Sequence, residues 1–181
     1  WDIAYYSEKL RQKRYDLSQE QLKPYFALPQ VQSGLFDVVK RIYGIQVTQV
    51  QGVSTWHEDV SFYQVAYLGK AIGYFYFDLF ARDQKRGGAW MDECRNRQIK
   101  ASGQLQLPVA YLVCNFAPQV GDTPVLLTHG EVTTLFHEFG HGLHHMMTNI
   151  DVAGVAGING VAWDAVELPS QLLENWCWQE E

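Results

Sequence analysis

The hydrophobic and polar positions of this chain change texture three times. Up to Gly44 the pattern is helical. Tyr5 to Tyr15 is rich in long polar and aromatic residues, Ser18 stands where it can cap a short helix before Pro24, and Val31 to Tyr43 continues the pattern as far as Gly44. From Ile45 to Phe80 the chain turns to β-branched and aromatic residues. Here VSFYQVAY and AIGYFYFDLF flank the short LGK and predict a hairpin in a mostly buried sheet. A looser stretch, Lys85 to Pro108, precedes VAYLVCNF, Val109 to Phe116, which reads as another strand. Pro118, Gly121 and Pro124 then break the chain.

After that break the helical period returns. Thr128 and Glu131 form T-x-x-E, a capping box in which each side chain satisfies a backbone donor, so the helix begins near His129. Val132, Leu135, Phe136, Phe139, Leu143, Met146 and Met147 fall in one stripe at about 100° per residue, and that stripe is the core face. His137, His141 and His144 fall together on roughly the opposite side. Next comes IDVAGVAGINGVAWD, whose glycines predict a flexible loop, and then a helix through Leu172 and Trp176. Gly154, Gly157 and Gly160 form no nucleotide fingerprint, because no strand precedes them in the required way.

These elements predict an α+β fold: N-terminal helices over 1–44, a small, mostly antiparallel sheet within 45–116, and two helices within 128–181. Composition narrows the function. Twenty acidic residues outnumber fourteen Lys and Arg, giving a net charge of -6, and the basic residues are scattered, so no nucleic-acid partner is expected. The densest basic run, Arg82 to Gly88, reads as a solvated turn. No apolar run approaches membrane-spanning length, so no membrane partner is expected. Cys94, Cys114 and Cys177 are odd in number and contain no C-x-x-C pair, which argues for packed thiols in a reducing, cytoplasmic setting.

The chemistry lies in LFHEFGHGLHH. His137, Glu138 and His141 form H-E-x-x-H, and its two histidines, one turn apart and about 6 Å along the axis, can aim at one ion. Glu138 lies to the side, placed to reach a water on the metal. A tetrahedral catalytic zinc needs a third protein ligand. His144 shares the face, but the three histidines would run along about 10 Å of one helix and cannot surround an ion. The longer H-E-x-x-H-x-x-G-x-x-H pattern is absent, because His144 and Met147 occupy its last positions. The third ligand therefore comes from another element. Of the downstream acids Asp151, Asp164, Glu167, Glu174, Glu180 and Glu181, Asp164 is better explained as a helix cap, and Glu167 and Glu174, seven residues apart on one helical face, are equal candidates by spacing.

HEFGHGLHH followed by WDAVELPSQLLENW resembles the thimet oligopeptidase family of zinc metallopeptidases, above all its oligopeptidase A branch. The resemblance also runs through WDIAYY, YFALPQVQSGLF, WHEDVSFYQV, YFYFDLFARDQKRGGAW and CNFAPQVGDTPVLLTHGEVTTLFHEFGH, nearly the whole chain. It implies a zincin-like core, one zinc held by His137, His141 and Glu167, and Glu138 as the catalytic carboxylate. Glu174 then becomes a candidate to orient a ligating imidazole, as does His144. It further implies cleavage of short peptides by zinc-activated water, with Glu138 taking the proton and returning it to the leaving amine. The family's members are several times longer, so residues 1–181 are expected to be one catalytic-core segment, poorly active and prone to self-association when alone.

The strand Val109 to Phe116, shortly before the motif helix, is the candidate sheet edge for pairing with an extended peptide, with Val113, Cys114, Asn115 and Phe116 nearest the motif. His57 is expected to be a structural imidazole held within the sheet. Two readings from other classes compete: a structural zinc closed by a fourth protein ligand, and a metal-free histidine face contacting a partner chain.

Overall fold

In the computed structural model, which describes residues 2–15 and 18–179, the predicted hairpin forms the middle of the fold. The strands are β1 (Ile45–Gln49), β2 (Ser61–Tyr67), β3 (Lys70–Phe80), β4 (Trp90–Arg95), β5 (Gln98–Ile99), β6 (Leu105–Gln106) and β7 (Val109–Phe116). Leu68 and Gly69 turn β2 into β3 at φ 48° and 76°, the two positive values that match a tight turn to the strand twist. The main sheet has the order β1-β2-β3-β7-β4, antiparallel throughout except for β3 and β7. β5 and β6 form a separate two-stranded ribbon.

Five α-helices accompany the sheet among the described residues: α1 (Asp2–Tyr15), α2 (Gln19–Leu22), α3 (Leu28–Tyr43), α4 (His129–Met146) and α5 (Leu168–Glu174). The fold is therefore α+β, as the pattern predicts. Ser18 caps α2 with a complete capping box. α3 begins three residues before the expected Val31, because Pro29 sits in its first turn, where no intrahelical donor is needed. It ends at Gly44, whose φ of 69° lets its N–H bond Lys40 O at 2.9 Å. The core lies between one sheet face and the helices: Leu35 and Val39 of α3 and Leu135, Phe139 and Met146 of α4 are buried with Val65, Phe75, Phe77, Leu112 and Cys114. Rings of Phe36, Tyr63, Phe75, Phe77 and Phe139 pack edge-on or stacked across this layer.

Three expectations are corrected. β7 is not a sheet edge: β3 and β4 pair with it on either side, so the backbone of Val113, Cys114, Asn115 and Phe116 is already committed. The edge on that side of the sheet is β4, inside the stretch expected to be loose. Its Asp92, Glu93 and Arg95 are exposed, a polar pattern suited to a strand paired on one side only. The run Arg82 to Gly88 is also more than a solvated turn. Arg82 grips buried Asp78 through two bonds of 2.6 and 2.7 Å, and Lys85 Nζ reaches Asp78 Oδ1, Phe80 O and Cys114 O at 2.6–2.8 Å. This clamp joins the ends of β3 and β7 and sets the path into β4.

Candidate metal centre

The motif helix α4 starts as its capping box dictates: Glu131 N–H donates to Thr128 Oγ1 at 3.2 Å, and Thr128 N–H donates to Glu131 Oε2 at 2.7 Å. Its apolar stripe faces the sheet, and α5 and the segment before it approach the histidine face. Glycine permits both approaches. A Cβ on Gly140 would stand 2.6 Å from Ser170 Cα and 2.8 Å from Pro169 O, and one on Gly142 would meet Leu112 Cδ2 at 2.9 Å.

That close approach brings Glu167, the residue just before α5, to the histidines. Glu167 Oε2 lies 3.2 Å from His137 Nε2 and 3.0 Å from His141 Nε2. Ligand atoms of His137, His141 and Glu167 all lie within 4.8 Å of one another, so this group could hold a metal ion. Glu174 Oε1 sits 2.5 Å from His137 Nδ1. A carboxylate only accepts, so the imidazole proton belongs on Nδ1 and Nε2 presents its lone pair to the group. Ser170 Oγ donates to Glu167 Oε2 at 3.0 Å and to Glu167 O at 2.9 Å, fixing the carboxylate from behind. Two imidazole nitrogens and a carboxylate oxygen form a donor set suited to zinc.

Glu138 is 6% exposed. Burial raises its pKa to about 6; the charge of Glu167 adds to the rise, while His137 and a backbone N–H from Met91 oppose it. It shares a cleft of about 510 Å³ with His137, His141 and Glu167, walled by Ala89, Trp90 and Met91 of the sheet edge and by Ile158, Val161, Trp163 and Val166. Burial lowers the pKa of His141, against an opposing pull from Glu167. The arrangement presents three lone-pair donors, a carboxylate able to exchange a proton, and an open strand edge in one cleft.

Other predicted residues lie elsewhere. His144 lines a second cleft of about 410 Å³ with Tyr43, Leu143, Met147 and Pro169 and makes no hydrogen bond to the His137–His141–Glu167 group. Asp164 is exposed in the turn before α5, and the N-cap position belongs to Glu167. His57 lies in the loop before β2, outside the sheet, where its Nδ1 accepts from Asp59 N–H at 3.3 Å. Asn115, expected at a substrate edge, instead donates to Arg86 O and Gly88 O at 2.9 and 2.6 Å, holding the loop that leads into β4. Gly157 does not merely loosen its loop: it lies against His145, with φ of 63°. Glu180 and Glu181 lie outside the described residues. Sequence reasoning missed Met91, Trp163 and His145.

The three free cysteines of the chain are Cys94, Cys114 and Cys177. Burial, reinforced by the charge of Glu138, pushes the Cys114 thiol up to about 12, so it stays protonated beside the site. No helix among the described residues is long and apolar enough to cross a membrane.

Comparison with known proteins gives the same direction along the full chain. Oligopeptidase A of Haemophilus influenzae is 58% identical over 182 residues, and that of Escherichia coli is 59% identical; in both, all of this chain is covered but only 27% of the relative. The dipeptidyl carboxypeptidase of Escherichia coli is 39% identical over 98% of this chain and 26% of its own length. The chain thus spans about a quarter of the length of the curated relatives it matches. The family model described as Peptidase family M3 matches residues 1–181, and the chain belongs to that family.

Proposed function

We propose that the chain forms the metal-binding core of a zinc-dependent peptidase that hydrolyses short peptides. The observation that carries this reading is the convergence of His137, His141 and Glu167 within 4.8 Å, with Glu138 and an open strand edge in the same cleft. The relatives named oligopeptidase A support the substrate class. Among the described residues the donor group has three members, which favours a catalytic ion over a structural one closed by four protein ligands. Residues 1–181 act as one catalytic-core segment with a zincin-like arrangement, helical over 1–44, sheet-rich over 45–116 and metal-binding over 128–181. The free cysteines favour a cytoplasmic setting.

When bound, zinc supplies Lewis acidity and makes an attacking water acidic. The chain's own residues do the rest. An extended peptide pairs with the outer edge of β4, because that edge is unpaired and lines the cleft. Glu138 accepts the proton of the attacking water and delivers it to the leaving amine; a pKa of about 6 leaves it ionised at neutral pH yet able to hold a proton between steps. Glu174 keeps the His137 ring in the ligating tautomer. The 181 residues alone are expected to turn over slowly and to self-associate, since Trp163 and Leu168 beside the cleft stand 93% and 72% exposed.

The test compares zinc-loaded wild type with Glu138→Gln on a quenched fluorescent oligopeptide, at full length and as residues 1–181. Glu138→Gln should keep its zinc and lose at least about a hundredfold in kcat. Near-normal turnover would remove Glu138 from the mechanism.

A further inference from the structure

We propose that His145 is a positioning residue that sets the register of the edge strand β4 against α4, and so where a peptide lies relative to the metal-binding residues. The inference rests on the proposal that substrates pair with β4. His145 is fully buried, 0% exposed, and its Nε2 lies 3.0 Å from Arg95 O, at the far end of β4. A carbonyl only accepts, so the ring carries its proton on Nε2 and donates it to the strand.

The bond falls where the strand needs it. The pairing of β4 with β7 slips between Glu93 and Arg95, so the ladder alone does not fix the end of the strand. Toward its other end, the Met91 backbone N–H lies near enough to Glu138 to oppose the rise in its pKa. Glu138 and His145 are seven residues apart, which places them within about 20° on one helix face and about 10 Å apart along the axis. Met91 and Arg95 are four residues apart, about 13 Å of strand. α4 therefore bonds β4 at Arg95, about two turns of helix from the point where Met91 faces the proposed general base. Gly157 closes the remaining side: a Cβ there would stand 2.7 Å from His145 Nδ1 and 2.8 Å from His145 O. The ring cannot swing away, and its Nε2 is committed to the strand instead of the ion. A shift at Arg95 would move β4 relative to Glu138, and with it any peptide paired to the strand.

The experiment uses the full-length, zinc-loaded protein as wild type, His145→Leu and His145→Gln, with zinc content, amide hydrogen exchange, KM and kcat as readouts. His145→Leu is expected to keep one zinc, to speed exchange over residues 90–95 at least about tenfold, and to leave the α3 amides unchanged. Its KM for an extended oligopeptide should rise by about tenfold or more while kcat stays within about threefold. His145→Gln, which keeps an N–H donor, should recover most of both losses. Unchanged exchange over 90–95, a fall in kcat at constant KM, or a Gln variant as impaired as the Leu variant would overturn the proposal. Should His145→Leu fail to fold, Gly157→Ala crowds the same ring from the opposite side and must produce the same exchange and KM changes. The exchange result stands even if the wild type hydrolyses no peptide, so failure of the peptidase reading is told apart from failure of this one.

Discussion

Among the described residues, Asp78 carries more hydrogen bonds than any other carboxylate outside the cleft. It is 4% exposed and accepts hydrogen bonds from Arg82, Lys85 and Trp56. Burial alone would raise its pKa, but those donors outweigh it and hold the value down at about 2 from 3.8. Between these values the folded chain binds fewer protons at Asp78 than the unfolded chain does. The stabilisation is therefore complete above about pH 4 and is lost as pH falls toward 2. Asp78→Asn should cost about 3 to 5 kcal/mol at neutral pH, because it strands two cations at the end of the sheet. Denaturant unfolding across the pH range checks this: the gap between wild type and variant should narrow from pH 4 to 2, and a constant gap would refute the assignment. At this scale the sequence was partly legible. His137, Glu138 and His141 declare themselves by spacing, whereas Glu167 and Glu174 could not be separated that way. What distinguishes them is the turn over 163–167 and the Ser170 bond to Glu167, neither of which follows from a helical wheel.

Among the elements, α4 was legible to within a residue, because its capping box and apolar stripe act locally. The β2–β3 hairpin was legible for the same reason. β4 was not: a strand paired on one side exposes charged residues, and Trp90 to Arg95 lacks the alternation of a half-buried strand. The helix after the glycine loop was anticipated, but not how near it comes to α4. That distance depends on Gly140, and its substitution is the element-level test. Gly140→Ala should push Pro169 and Ser170 outward, carry Glu167 with them, and weaken zinc binding at least about tenfold. Overpacking should cost about 1 to 3 kcal/mol, offset by up to about 1 from the better helix former. Gly142→Ala is the control, since its Cβ would meet only the end of the Leu112 side chain, and its zinc affinity should stay near that of the wild type. Calorimetric zinc titration of both reads the difference; equal affinities would mean that the spacing of α4 and α5 does not set the site.

Across the whole molecule, the sheet, the two C-terminal helices and the loop at 81–89 converge on one cleft. The clamp at Asp78 and the bonds from Asn115 lead the chain into β4. β4 is held to α4 through His145, and α4 receives α5 at Gly140. The group that could hold a metal ion is thus a product of the assembled fold, with His137 and Glu167 thirty residues apart in sequence. The most direct measurement of this account is the zinc content and affinity of purified wild type beside Glu167→Ala. One zinc per chain in the wild type, with affinity reduced at least about a hundredfold in the variant, is the expected result. Equal zinc content and affinity in the two proteins would contradict it, because the ion would then be held without the carboxylate that the fold brings to His137 and His141.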